Sequence, residues 1–228
     1  MTNELLWFIF ALVNFILIAI AYKLFGKTGL FAWIAFSSIL ANIQVVKFIT
    51  LFGLTATLGN IMYGTIFLAT DTLSEKYGLK EAKRSVYIGF FTLISMVIIM
   101  QIALLFIETG DGVVQSALET IFVLMPRIAL GSLTAYIISQ LLDVHLFQKI
   151  KEHFNSDNLL FVRNIGSTMT SQLVDTLIFV PIAFLGAVPS EVLVDIILTT
   201  YVIKLLVALL DTPFIYLMKK IKPLTDGM

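Results

Sequence analysis

The sequence predicts an all-α polytopic membrane protein: a transmembrane helical bundle of about seven spans, with the N-terminus out and the C-terminus in. Three observations carry that reading. Of 228 residues, 59% are hydrophobic and only 13% charged, and the mean hydropathy is +0.98. A soluble domain is about half apolar and about a quarter charged. Seven spans of roughly 20 apolar residues would occupy about 140 positions, which matches the apolar fraction. Finally, Lys and Arg gather in every second link between the apolar runs.

Taken in order, the apolar runs are Leu5–Tyr22, Leu30–Phe52, Leu54–Thr70, Ser85–Ile107, Ala117–Leu142, Asn164–Gly186 and Val192–Leu217. The first follows a start without the basic n-region of a cleaved signal, so it is expected to stay in the membrane. The third is the shortest and most polar. Lys23 and Lys27 follow the first run, and Lys76, Lys80, Lys83 and Arg84 follow the third. Lys149, Lys151 and Arg163 follow the fifth; Lys219, Lys220 and Lys222 follow the seventh. The links after the second, fourth and sixth hold neither Lys nor Arg. The positive-inside rule turns that alternation into the stated orientation. Six spans, the alternative, would put one basic loop outside. One membrane domain, residues 1–228, is expected. On the fifth run Gly131, Ala135 and Ser139 recur at four-residue steps, the small-residue pattern of close helix contacts.

Other chemistry closes at this step. A net charge of 0 gives no field for nucleic acid. The chain has no cysteine, and His145 and His153 lie outside any metal-binding pattern, so no metal or cofactor is expected. Gly26-Lys27-Thr28 imitates the end of a phosphate loop, but the pattern's first glycine falls on Ala21, inside a span.

The informative residues are those that should not be in a bilayer. A charge at mid-membrane costs about 2.5–3.5 kcal/mol on insertion scales and usually lines a cavity or pairs. Lys47, Arg127, Asp175, Lys204 and Asp211 stand inside the runs. Asn164, Thr168, Ser171 and Asp175 fall at steps of four, three and four, one stripe on one helical face, with Gln172 beside it. That stripe reads as the wall of a water-filled cavity, with Arg127 expected to hold Asp175 ionised. Asn60, Tyr63, Phe67 and Asp71 form a second stripe, suited to stacking on and hydrogen-bonding a flat heterocycle. Asn42, Gln44 and Lys47 add amides and a cation, and Lys204 with Asp211 forms a spaced pair on the last run. Asp71 and Glu75 lie one turn apart at a helix C-terminus, where acids oppose the macrodipole; a gate against a neighbouring Lys or Arg accounts for them. Asn-Ile followed after nine residues by Asp-Thr-Leu occurs at Asn60–Leu73 and again at Asn164–Leu177, on runs of opposite direction, as in inverted repeats.

No nucleophile–base pair or acidic metal run supports an enzyme. Mixed cations and anions suit a binding site or proton relay better than the single-sign rings of a channel. A transporter is the expected class.

Asn42…Lys47, then Asp71-x-x-Ser74-Glu75-x-Tyr77-Gly78 with Ala82 and Gly89, resembles the queuosine precursor transporter family, also catalogued as a vitamin uptake transporter family. The likeness continues through Arg127…Ser132…Gln140-x-x-Asp143 and Arg163-Asn164-x-Gly-Ser167-Thr168…Gln172-x-x-Asp175, departing at Phe161, where tryptophan is expected. The resemblance implies import of a 7-deazapurine (7-cyano- or 7-aminomethyl-7-deazaguanine, or queuine) across the bacterial inner membrane, feeding tRNA modification. Asp175, Gln172, Asn42, Asn60, Tyr63, Phe67, Lys47, Arg127, Thr168, Ser171 and Asn164 are then candidate substrate contacts. Asp71, Glu75, Arg163 and Lys204 are candidates for gating or coupling. Besides substrate and lipid, the resemblance leaves open proton coupling, a separate energising ATPase module of the energy-coupling-factor kind, and a homo-oligomer.

Overall fold

In the computed structural model, residues 2–45, 47–122, 126–154, 156, 159–186 and 189–224 are described. Helix α1 spans Asn3–Gln44, strands β1 and β2 span Phe48–Leu51 and Leu54–Thr57, and α2 spans Asn60–Tyr77. Then follow α3 (Leu79–Ala103), α4 (Val113–Phe122), α5 (Pro126–His153), α6 (Leu160–Phe184) and α7 (Ser190–Lys220). Among the described residues, five helices are long and apolar enough to cross a membrane: α1, α3, α5, α6 and α7. Their outer faces carry large apolar side chains such as Phe91 and Ile99, while Asp71, Asp143, Arg163 and Asp175 are buried inside. That inversion of the soluble pattern suits a lipid solvent.

Helix α1 has 42 residues but is two arms, not one rod. Gly26 adopts φ 56°, ψ −138°, which a side-chain-bearing residue would resist. Beyond it the chain doubles back, so a Cβ on Gly29 would collide with the Ala21 carbonyl; in a straight helix those residues stand about 12 Å apart. At the far end Asn3 donates to the Thr50 carbonyl at 3.2 Å, and Glu4 accepts from the Phe52 amide at 3.2 Å. The Lys23–Lys27 link expected between two apolar runs is this bend.

Two boundaries differ from expectation. The sequence places the end of the second run at Phe52 and the start of the third at Leu54; instead the helix stops at Gln44 and residues 48–57 form a β-hairpin, Phe48 opposite Thr57 and Leu51 opposite Leu54. Positive φ at both Phe52 (52°) and Gly53 (79°) makes the two-residue turn whose twist matches paired strands. The third run is thereby displaced into α2. The fifth run, drawn from Ala117, is divided between α4 and α5.

Helix α2 is the most enclosed, packed on α1, α3, α5 and α7. Its approach to α7 depends on Gly64, where a Cβ would strike the Val207 side chain. Gly64→Val is expected to lower the thermal midpoint, overpacking of this kind costing about 1–3 kcal/mol, and Val207→Ala in the same chain should recover most of it. Calorimetric scanning of the two single variants and the double checks this. On α5, Ala135 and Ser139 are buried, and Gly131 lies against Ile182 of α6, so the small-residue stripe is the α5–α6 contact.

The ends of the bundle differ in charge. At one end lie the α1 bend, the α2–α3 junction, and the close of α5 and of α7, joined by Lys27–Glu81 at 3.3 Å and Lys76 to the Ile221 carbonyl at 2.6 Å. The other end holds Asn3, Glu4 and the hairpin.

Candidate functional site

Between the second arm of α1 and helices α2, α5, α6 and α7 lies a cavity of about 810 Å³, counting its mouth. It sits toward the hairpin end, since Val45, Gly59, Phe184 and Ile196 line it. Asn42 comes from α1, Asn60 and Tyr63 from α2, Ser132 and Ala135 from α5, Asp175 and Phe179 from α6, and Thr200 and Lys204 from α7.

Asp175 is its polar centre, 2% exposed. Its Oδ1 accepts from the Tyr63 hydroxyl at 2.8 Å and from Ser139 at 3.0 Å, while Oδ2 is paired with the Lys204 ammonium. Lys204 Nζ also stands 5.3 Å from the centre of the Tyr63 ring, a cation–π contact. Phe67 packs beneath Tyr63 at 5.7 Å. A buried ion pair gains little stability after desolvation, so its place at a cavity wall needs another reason. The Asn60 amide nitrogen is buried with no partner among the described residues, an open donor at the same wall.

The bundle brings Asn42, Asn60, Tyr63, Asp175 and Lys204 together at the cavity, with Phe67 just behind. Three expectations are corrected. Arg127 does not reach Asp175. It is the second residue of α5, and its Nε donates to the Ile182 carbonyl at 2.7 Å and its Nη2 to that of Leu185, at the C-terminal end of α6 where carbonyls lack helical donors. Lys204, expected to pair with Asp211, supplies the counter-charge instead. Lys47 follows the end of α1, exposed to solvent, and does not line the cavity. Replacing Arg127 by Ala is accordingly expected to change ligand affinity by less than about twofold while lowering the melting temperature, since charged hydrogen bonds of this kind contribute about 1.5–3 kcal/mol.

The rest of the α6 stripe runs deeper than the cavity. Ser171 donates to Asp143 at 2.9 Å, Asn164 donates to Asp211 at 2.8 Å, and Thr168 and Gln172 are buried beside them. Asp71 is fully buried and pairs with no cation among the described residues. Glu75 does. Its Oε1 meets Arg163 of α6 at 3.0 Å and Lys219 of α7 at 2.7 Å, and its Oε2 meets Lys151 of α5 at 3.2 Å. Arg163 is wholly buried and also donates to the carbonyls of Phe154 and Ser156. One carboxylate thus ties four helices together at the basic end. Ser139 belongs to the small-residue pattern and Asp143 falls one residue beyond the fifth apolar run; their four-residue spacing on one face of α5 is the signal that joins them.

A family described as "putative vitamin uptake transporter" matches residues 57–218. A "Probable queuosine precursor transporter" of Bacillus subtilis (strain 168) is 52% identical over 98% of this chain and 97% of its own length. The chain belongs to this family. The "Queuosine precursor transporter" of Escherichia coli (strain K12) is 28% identical over 82% of both chains. A "Probable queuosine precursor transporter" of Haemophilus influenzae is 29% identical over 58% of this chain and 54% of its own. No solved structure matches. Members of the queuosine precursor transporter family are named as transporters, not enzymes, and this chain is a multi-pass protein of the bacterial plasma membrane.

Proposed function

We propose that this protein imports a 7-deazaguanine queuosine precursor by alternating access. The observation that carries the reading is Asp175 held between Tyr63 and Lys204 at the cavity wall. A guanine-type edge offers two adjacent N–H donors and, next to them, a carbonyl. The donors match the two oxygens of Asp175, and the carbonyl matches the ammonium of Lys204, which turns from the carboxylate to the ligand as the base enters. A carboxylate has about four acceptor sites, three of them used here by Tyr63, Ser139 and Lys204, so the ligand displaces one partner at least. Asn60 supplies an N–H for a ring nitrogen or a nitrile, and Tyr63 a face for stacking.

Counting the two arms of α1 separately and including α2, the chain makes seven passes. With the basic end in the cytoplasm, the N-terminus lies out and the C-terminus in. The cavity then opens outward while the Glu75 cluster closes the inner side, the outward-facing state of an importer. A gradient drives the cycle.

The test is uptake of labelled 7-cyano-7-deazaguanine, its aminomethyl analogue and queuine in cells that can neither make nor import them, with and without an uncoupler. Accumulation of at least one, collapsed by the uncoupler, is expected. Uptake unaffected by the uncoupler would overturn gradient coupling in favour of an energising partner. No uptake, with no binding to the purified protein, would overturn the substrate.

A further inference from the structure

Between the substrate cavity and the Glu75 cluster lies a second polar layer that the binding reading leaves unused. Asp71 of α2, Asp143 of α5 and Asp211 of α7 are all buried to within 1%. Asp71 and Asp143 meet side chain to side chain, and Asp211 lies within electrostatic reach of both. Asp71 stands two turns along α2 from Tyr63, about 12 Å from the cavity wall, so one bound base does not touch both layers.

The groups facing these acids are acidic or neutral. Helix α2 adds Glu75, one turn from Asp71. Helix α6 adds Ser171, which donates to Asp143, with Ser167 and Thr168 alongside, and Asn164, which donates to Asp211 at 2.8 Å. The cations on neighbouring turns are engaged elsewhere: Lys204 with Asp175, and Arg163, Lys151 and Lys219 with Glu75. Among the described residues none of the three aspartates has an ion-pair partner.

Ser171 donates to Asp143, but among the described residues both oxygens of Asp71 and the Oδ2 atoms of Asp143 and Asp211 are buried with no donor within hydrogen-bond distance. The contact between Asp71 and Asp143 joins two acceptors, and it becomes a hydrogen bond only with a proton between them. Asn164 gives an independent sign. Its side chain is fully buried and anchored on Asp211 through its amide nitrogen, and its carbonyl oxygen has no donor among the described residues. A proton between Asp71 and Asp143 supplies the donor their contact lacks, and among the described residues no three acidic or histidine side chains converge as metal ligands do.

The sequence repeat places this layer in register with the cavity. Asn60 and Asp175 line the cavity; their counterparts in the other copy, Asn164 and Asp71, belong to the inner layer. Ser139 to Asp143 on α5 and Asp175 to Ser171 on α6 are single-turn steps joining the two levels.

We propose that Asp71, Asp143 and Asp211 form a proton-binding site, separate from the Asp175 pocket, through which the proton gradient drives import. A proton enters from the cavity side onto the aspartates and leaves to the cytoplasm when the Glu75 cluster opens. Charge in this layer thereby sets how firmly α2, α5 and α7 stay closed below it. The site rests on the transport reading given above, but its occupancy can be measured without substrate.

The first arm of the test is infrared difference spectroscopy of the purified protein in H2O and D2O at neutral pH. A protonated-carboxyl band is expected in the unmodified protein and should be lost in Asp71→Asn with Asp143→Asn, in protein that still elutes as a single species. The second arm uses proteoliposomes loaded with 7-cyano-7-deazaguanine. Asp143→Asn should keep labelled counterflow within about twofold while proton-driven accumulation falls at least about tenfold, a loss of about 1.4 kcal/mol or more in the accumulation gradient. The proposal is overturned by an unchanged carboxyl band, by full proton-driven accumulation in Asp143→Asn, or by accumulation on a sodium gradient alone. A band that behaves as expected in a protein that exchanges no deazapurine would uphold the proton site and overturn the substrate instead.

Discussion

Asp175→Asn is expected to abolish deazapurine binding and also to destabilise the fold, whereas adding Lys204→Met to it should restore the fold alone. The first effect follows from charge. A ligand edge with two N–H donors loses an ionised acceptor and meets an amide that presents its own N–H. Charge-assisted hydrogen bonds contribute about 1.5–3 kcal/mol each, so affinity should fall at least about a hundredfold. The second effect comes from Lys204, 6% exposed, which is left with no carboxylate and only the ring of Tyr63. Removing one partner of a buried pair typically costs about 3–5 kcal/mol. Lys204→Met removes the orphaned charge at similar volume. A double variant that melts like the unmodified protein traces the lost stability to the orphaned Lys204 ammonium. Recovery of binding in the double would show that Asp175 serves only to neutralise Lys204.

Glu75→Gln is expected to open the basic end. Three cations from α5, α6 and α7 lose their common partner, and Arg163, wholly buried, cannot turn to solvent. Lys151 and Lys219 are partly exposed, so most of the effect falls on Arg163. The chain has no cysteine, so accessibility can be read from a single introduced thiol. With Ser167→Cys as reporter, labelling by an impermeant reagent from the cytoplasmic side should rise at least about tenfold in Glu75→Gln, a population shift of about 1.4 kcal/mol. Equal labelling with and without Glu75 would mean that the cluster is a surface feature and the closure lies elsewhere.

Much of this was legible in the sequence because helical spacing is local. The steps from Asn164 through Thr168 and Ser171 to Asp175 fix one face of α6 whatever its neighbours do, and all four side chains are buried. Tyr63 and Asn60 came from the same argument on α2. Lys23 and Lys27 marked the link in which the bend at Gly26 falls, because charge marks where a chain leaves an apolar medium.

What failed was depth, which no single helix encodes. Arg127 looked like a mid-membrane cation because Ala117–Leu142 was read as one run; with α5 beginning at Pro126, it stands at a helix end beside the carbonyls of Ile182 and Leu185. Asp143 had the opposite fate. The fifth apolar run ends at Leu142, one residue short of it, but α5 continues to His153 and carries it inside. Lys204 and Asp175 could not be matched from spacing alone, since their meeting depends on how α6 and α7 slide against each other. The hairpin at residues 48–57 was missed because its apolar, β-branched residues have the composition of a helix end in lipid.

The most direct test of the account is a binding cycle on purified protein. It compares 7-cyano-7-deazaguanine with its N1-methylated analogue, each against the unmodified chain and Asp175→Asn carrying Lys204→Met, by titration calorimetry. Methylation removes one of the two N–H donors assigned to Asp175. Methylation and the double substitution are each expected to weaken binding strongly, and methylation should cost little more once the Asp175–Lys204 pair is gone, a strongly non-additive cycle. Tight binding of the methylated ligand, or losses that simply add, would contradict it.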